Sequence, residues 1–318
     1  MTFSSLHSGL RPLHRARDLM AVANLIELCF ASTMDADGRL YLQQMRETAR
    51  EAAAMDWAVS GLEQAAGVPL EGFVWEEDGR LVGNLTLIAL RRMNRRVFFV
   101  ANVAVHPDYR RHGIGRKLTQ AAIDYTRAFG AWETWLQVRA ENTPAVRLYE
   151  SLGFATVAAR SAWVSGLAQP RPLQPRALVS SRAAVDWPRQ REWLRETYPD
   201  HLTWHLPLNI DSFQPSFLRD LMHTFDGSRP VHWSARMGSA LLGLLTLEAS
   251  RLSTDNLWLA APAYNAVDAI LTLVPHALQN LRSGRQVTLN FPAGQCESAL
   301  QAVGLTLHQT LVWMKIVL

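Results

Sequence analysis

Cysteine is almost missing from this chain: 318 residues hold two, Cys29 and Cys296, far apart and with no CxxC pair. A disulfide scaffold and a zinc ribbon are thereby excluded, and both thiols read as inert side chains. Lysine is equally scarce. Of the 32 basic residues only Lys117 and Lys315 are lysine, and a codon or thermal-habitat bias toward arginine accounts for the rest. No apolar run reaches the roughly 18 residues of a membrane span. The segment Met1–Asp18 carries His, Arg and Pro where a signal peptide needs an unbroken apolar stretch. A cytoplasmic protein without membrane contact is the expectation. A strong charge of one sign is also lacking, since 32 basic and 28 acidic residues leave a net +4. Nucleic acid is therefore not expected as a partner. The densest basic cluster, Arg91, Arg92, Arg95 and Arg96, flanks Met93-Asn94 between two strand-like runs. It reads as a solvated hairpin tip, the alternative being a surface that draws in anionic ligands.

What is present fits two cores rather than one. Single cores stop growing near about 250–300 residues, and the 48% hydrophobic content is ample for burial. Residues 165–182 contain Pro170, Pro172 and Pro175 with little hydrophobic periodicity, as a linker does. The division expected is a domain at 1–164, a linker at 165–182 and a second domain at 183–318.

In the first half, apolar periodicity predicts helices over Asp18–Phe30 and Leu40–Glu63. Extended runs Phe73–Glu76 and Leu81–Leu90 flank Asp78-Gly79, a hairpin signal. Val97–Val105 is almost wholly apolar, like a central strand. A helix near Ile114–Phe129, a strand Thr134–Arg139, a short helix Pro144–Leu152 and an extended run Phe154–Val164 follow. Thr143 is the expected N-cap of the short helix, with Pro144 at its first position. The fold class is α+β, with a mostly antiparallel sheet. The same grammar returns in the second half. Gly83-Asn84-Leu85-Thr86-Leu87 matches Gly243-Leu244-Leu245-Thr246-Leu247, and Leu148–Phe154 lines up with Ala299–Leu305. An internal duplication is the simplest account.

The chemistry is concentrated in Val103-Ala104-Val105-His106-Pro107-Asp108-Tyr109-Arg110-Arg111-His112-Gly113-Ile114-Gly115-Arg116-Lys117. A buried strand runs into a basic, glycine-containing turn that opens a helix. The first N–H groups of a helix have no internal partner and carry partial positive charge, and glycines let a ligand approach them. Such a turn suits a di-anion such as a pyrophosphate. GxxxxGK[ST] is absent, and GxGxxG fails at Leu118.

The turn Arg110-Arg111-His112-Gly113-Ile114-Gly115 instead resembles the [RQ]xxGx[GA] motif of the GNAT superfamily of N-acetyltransferases. Asn142-Thr143-Pro144-Ala145-Val146-Arg147-Leu148-Tyr149-Glu150-Ser151-Leu152-Gly153-Phe154 resembles that family's second signature, NxxAxxLYxxxGF. The resemblance covers Leu10 to about Val164 well and the second half weakly. It implies a tandem GNAT fold, acetyl-CoA as cosubstrate, no metal, and transfer of an acetyl group to a primary amine by direct attack. It further implies that the strand ending at Val105 bulges away from Thr134–Arg139 so that the pantetheine arm lies between them. The implied cofactor-binding residues are Val103, Ala104, Val105, Arg110, Arg111, His112, Gly113, Ile114, Gly115, Arg116, Lys117 and Asn142. Asn142 and Tyr149, seven residues apart, are expected to point the same way. Tyr149 is the expected catalytic residue, protonating the leaving sulfur. His106 and Glu133 read as surface residues rather than bases, which leaves a water relay or a group from the second half.

The second half lacks this equipment. Leu259-Ala260-Ala261-Pro262-Ala263-Tyr264-Asn265-Ala266-Val267 stands where the turn belongs, and Leu300 and Ala293 stand for Tyr149 and Asn142. A degenerate, non-catalytic copy is expected. The two-lobed plan is similar to that of mycothiol synthases, in which the C-terminal lobe is the catalytic one. The acceptor class is a small-molecule or peptide amine, the assembly a monomer or homodimer, and the alternative function a non-catalytic acyl-CoA sensor.

Overall fold

The computed structural model describes residues 9–54, 71–166, 177–203, 206–215, 230–250, 254–281 and 284–318. The expected linker lies outside them at 167–176, as does the predicted helix beyond residue 54. The chain divides into two units, residues 1–158 with Val312–Leu318, and Ala159–Leu311. Among the described residues no helix is long and apolar enough to cross a membrane, and no group of three or more His, Cys, Asp or Glu side chains is placed to hold a metal ion.

The first unit orders its strands β1 (Gly9–Pro12), β2 (Glu71–Glu77), β3 (Arg80–Arg92), β4 (Arg95–Val105) and β5 (Glu133–Arg139), and then the C-terminal segment Val312–Leu318. Pairings are antiparallel from β1 to β4, while β4 and β5 run parallel. Asp78 and Gly79 at φ 50° and 74° make the β2–β3 turn, and Met93 and Asn94 at φ 49° and 60° make the β3–β4 turn. Such left-handed pairs match the twist of a two-residue hairpin. The arginine cluster does sit at a hairpin tip. Arg95 lies 4.6 Å from the Trp132 ring, and Arg96 donates to the Phe129 carbonyl at 2.5 Å. Helices α1 (Arg15–Phe30) and α2 (Ala36–Ala54) bury Leu19, Val22, Ile26, Leu42 and Met45 in one cluster with Val74. Helix α3 (Ile114–Ala128) and the short α4 (Thr143–Ser151) enclose a second core around Leu85, Leu118, Leu136 and Tyr149, which also takes in Met314. Each fully buried leucine there contributes roughly 1.5–3 kcal/mol.

The second unit repeats this plan. Its order is β7 (Leu178–Ser181), β8 (Val231–Met237), β9 (Ala240–Glu248), β10 (Thr254–Ala260), β11 (Gln286–Pro292) and then Ala159–Ser165 of β6 (Ala155–Ser165). The first part of β12 (Leu305–Val317) lies beyond β6. Again only the β10–β11 pair is parallel among the registered pairs. Helices α5 (Trp187–Thr197), α6 (Asp200–Thr203), α7 (Ala266–Gln279) and α8 (Glu297–Ala302) complete it. Strand β7 occupies part of what the sequence suggested was linker: four residues with little periodicity still pair with β8 as an edge strand.

Two details tie the repeat to physics. A register shift falls between Trp75 and Glu76 in β2 and between Ala235 and Arg236 in β8, next to Gly83 and Gly243 in their partner strands. A Cβ on Gly83 would stand 2.8 Å from Ile114, and one on Gly243 would stand 2.7 Å from Ala269. The repeated glycine is thus where the helix after the central strand packs against the sheet. The final strands depart from the expected division at 183–318. Val312–Leu318 belongs to the first unit and Ala159–Ser165 to the second, so each sheet is completed from the opposite half of the sequence. Lys315 reaches the Glu133 carboxylate at 2.5 Å, and the Leu318 amide donates to the Trp132 carbonyl at 3.2 Å.

Candidate active site

Strands β4 and β5 part company midway. Their pairing runs from Val97/Glu133 to Val100/Leu136, yet β4 continues to Val105 and β5 to Arg139. A bulge in β4 marks the divergence: Asn84 pairs with Ala104 and Thr86 with Ala101, so Leu85 alone faces Asn102 and Val103. Asn102 takes φ +53°, a left-handed conformation that asparagine tolerates better than most residues. The Asn84 carboxamide donates to the Asn102 carbonyl at 2.9 Å, and the Asn102 carboxamide donates to the Tyr41 hydroxyl at 3.1 Å.

Beyond the bulge, the His106 amide donates to the Val82 carbonyl at 2.8 Å. This makes the facing residues Gly83 and Val105 a non-hydrogen-bonded pair, so the peptide groups of Val105 point away from β3 on the side where β5 has diverged. By the same alternation those of Val103 point there too, whereas Ala104 pairs with Asn84 and is buried. Ala104 therefore serves the scaffold rather than the opening. The Val105 carbonyl accepts from Arg110 Nε at 3.1 Å and from Cys29 Sγ at 3.4 Å. Burial raises the Cys29 thiol pKa, an effect that Arg110 partly offsets.

The turn after β4 is built as the sequence suggested. Residues 107–109 form one 3-10 turn, with His106 Nδ1 accepting from the Asp108 amide at 3.3 Å. Arg111 at φ +66° and Gly113 at φ +77° then bend the chain into α3. The first helical bond is Lys117 N–H to the Gly113 carbonyl at 3.0 Å. None of the peptide N–H groups from Arg111 to Arg116 has a hydrogen-bond partner among the described residues. A concave run of N–H groups at a helix N-terminus is an anion cradle. The basic side chains around it are more engaged than the sequence implied. Arg116 donates to the Ser151 hydroxyl at 2.6 Å, linking α3 to α4, and the Lys117 ammonium stands 4.7 Å from the Trp75 ring. Arg111 and His112 are exposed.

Helix α4 corrects one expectation. Its N-cap is Asn142, whose Oδ1 accepts from the Ala145 amide at 3.3 Å, so Thr143 and Pro144 are its first two helical residues. Asn142 is exposed and Tyr149 is buried. Tyr149 lies edge-on to Phe154, 6.0 Å between centroids, and burial pushes its phenol pKa up to about 12. Its hydroxyl makes no hydrogen bond among the described residues. Glu133 is not a surface residue either. It is 1% exposed and accepts from Lys315 (2.5 Å), Trp135 Nε1 (2.8 Å) and Arg92 (3.2 Å). Burial alone would raise its pKa, but these partners hold the carboxyl below the usual range.

Sequence reasoning missed Asn84, Tyr41 and Arg139. Arg139 at the end of β5 donates to the Thr33 carbonyl at 2.8 Å and so ties the fork to the α1–α2 connection. Only the polar character of Asn84 and Asn102 within apolar strands hinted at the bulge.

The corresponding fork of the second unit is differently filled. Pairing of β10 and β11 also stops early, at Leu257/Leu289, but β9 and β10 stay in continuous register. The buried Arg160 donates to Asn290 Oδ1 (2.7 Å), the Asn290 carbonyl (3.1 Å) and the Thr197 carbonyl (2.8 Å). Its guanidinium lies 5.0 Å from the ring of Tyr198, whose phenol burial pushes up to about 12. Helix α7 begins at Asn265 without a left-handed turn.

A central strand that diverges from its parallel neighbour and runs into a helix N-terminus with open N–H groups is the arrangement of the GNAT fold. Residues 38–154 match the family model described as "Acetyltransferase (GNAT) family". Over 53 residues it is 53% identical to the [Ribosomal protein bS18]-alanine N-acetyltransferase of Escherichia coli K12, covering 17% of this chain and 36% of that one. Over 91 residues it is 36% identical to streptothricin acetyltransferase of Streptomyces lavendulae, covering 29% and 47%. The matches thus span less than half the length of these relatives. A GCN5-related N-acetyltransferase from Sphaerobacter thermophilus shares the fold, at 17% identity and TM-score 0.56 over 97% of this chain and 95% of that one.

Proposed function

We propose that the first unit binds acetyl-CoA and transfers its acetyl group to a primary amine by direct attack. One observation carries this reading: a fork whose Val105 peptide groups face the opening leads directly into a helix N-terminus whose N–H groups have no partner among the described residues. The cradle at Arg111–Arg116 suits the pyrophosphate, and the fork suits an extended arm that ends in a thioester. A neutral amine attacks the thioester carbonyl carbon, and the carbonyl oxygen gains charge. A fixed donor such as the Val105 N–H stabilises that oxyanion, an effect of about 3–4 kcal/mol. Collapse of the adduct breaks the carbon–sulfur bond and releases a thiolate, which Tyr149 protonates. A phenol with a pKa near 12 keeps its proton at neutral pH and gives it to a thiolate only as negative charge develops there. Glu133 is committed to Lys315 and Arg92, and His106 Nδ1 to the Asp108 amide. The attacking nitrogen then loses its proton to a water relay or to a group from the second half.

The second unit, with its fork occupied by Arg160 and with no glycine turn, is the silent copy in this reading. The acceptor is a small-molecule or peptide amine, the range spanned by the relatives' names. The test is thiol release from acetyl-CoA by the purified chain, across amines that include N-terminal peptides and aminated antibiotics. Thiol release that depends on an amine, with acetyl found on its nitrogen, supports the reading. Tight acetyl-CoA binding without transfer to any amine leaves the sensor function instead.

A further inference from the structure

We propose that Asn84 is a positioning residue for acetyl transfer: its carboxamide holds the β4 bulge that turns the Val103 and Val105 peptide groups into the fork. The inference rests on the function proposed above and adds a residue that the motifs of the chain do not include.

The argument is a comparison within one molecule. Asn84 and Leu244 occupy the same place in the repeat, each following the glycine on which the next helix packs. Asn84 pairs with Val74 and Ala104, and Leu244 with Ser234 and Ala260. Both are fully buried. The ladder above Leu244 is continuous, whereas the ladder above Asn84 skips a residue. The β2 and β8 irregularities are common to both units, so the β4 bulge is what separates them.

Local chemistry supplies the link. A bulge leaves one peptide without a ladder partner. Here the carbonyl is that of Asn102, and Asn84 Nδ2 donates to it at 2.9 Å. Leucine at the same position has no donor to offer. The arrangement is costly in two ways, since Asn84 Oδ1 is buried with no hydrogen-bond partner among the described residues and Asn102 sits at φ +53°. Two local costs at one point of the sheet mark a place kept for function rather than for stability. The second unit carries neither.

The experiment compares wild type with Asn84→Leu, Asn102→Val and Asn102→Gly, measuring kcat, coenzyme A affinity, unfolding midpoint, and hydrogen exchange of the 103–105 segment with and without acetyl-CoA. Asn84→Leu should lower kcat between about 10- and 100-fold. Its coenzyme A affinity should fall by less than kcat does, because the pyrophosphate cradle lies elsewhere. Asn102→Val, a β-branched residue forced to positive φ, should give the same split. Asn102→Gly should retain more kcat than Asn102→Val, since glycine accepts that conformation. Acetyl-CoA should protect the 103–105 amides in wild type and in Asn102→Gly but not in Asn84→Leu. A folded Asn84→Leu protein with wild-type kcat and protection overturns the inference alone. If Asn84→Leu does not fold, wild-type kcat in Asn102→Val overturns it. A wild-type chain that binds no acetyl-CoA overturns both this and the proposed function.

Discussion

Lys315 and Glu133, 182 positions apart in sequence, form an ion pair at 2.5 Å in which the carboxylate is 1% exposed. The last residues of the chain thereby neutralise a charge buried in the first unit. Replacing Lys315 by alanine leaves Glu133 with Arg92 as its one remaining cationic partner among the described residues. The variant should lose about 2–3 kcal/mol at neutral pH. The sign with pH follows from the depressed carboxyl pKa. Stabilisation by this pair is complete above the unfolded value of about 4.3 and disappears as pH falls through the lower folded value. Denaturant unfolding should therefore show a gap between wild type and variant that is wide at pH 7 and closes in acid. A gap independent of pH would assign the loss to packing instead.

Tyr149 offers a cleaner separation of stability from chemistry. Its hydroxyl makes no hydrogen bond among the described residues, so Tyr149→Phe removes no bond and should leave the unfolding midpoint close to wild type. Turnover should fall by about 10²-fold while coenzyme A affinity holds. With the phenol pKa near 12, no alkaline loss of activity from Tyr149 ionisation is expected between pH 7 and 10. Unchanged turnover in Tyr149→Phe removes the acid role.

Arg160 closes the second fork, and its removal tests whether closure is structural. Arg160→Leu leaves the Asn290 and Thr197 carbonyls without their donor and should cost about 2 kcal/mol. It should not create a second acetyl-CoA site, because α7 begins without the left-handed turn that opens the N–H groups of α3. Titration of the variant with acetyl-CoA reads this directly, and two equivalents bound would refute it.

Much of the fold is legible in the sequence because its signals are local. Asp78-Gly79 marks a hairpin, the apolar run 97–105 marks the central strand, and Gly113 and Gly115 mark the helix start. The repeated Gly83 and Gly243 carry the duplication, and the structure gives the reason in the helix that packs on each. What was not legible depends on partners distant in sequence. The exchange of final strands joins residues 312–318 to the first unit, and no periodicity within those residues says which sheet they enter. The burial of Glu133 depends on Lys315 in the same way. The bulge depends on Asn84, 18 positions before the residue it holds. The cap of α4 is ambiguous at shorter range, because Asn142 and Thr143 are both good N-cap residues and Asn142 takes the role.

The central claim, one acetyl-CoA site per chain at the Arg111–Arg116 cradle, is tested most directly by calorimetric titration of wild type and Gly115→Asp. A Cβ at Gly115 would stand 3.5 Å from Leu148, ordinary contact, and an aspartate in the first helical turn favours the helix. The variant should therefore fold as wild type does, while its carboxylate opposes the pyrophosphate. The account predicts one equivalent bound to wild type and at least about tenfold weaker binding to Gly115→Asp. Two equivalents for wild type, or undiminished affinity in a folded Gly115→Asp protein, would contradict it.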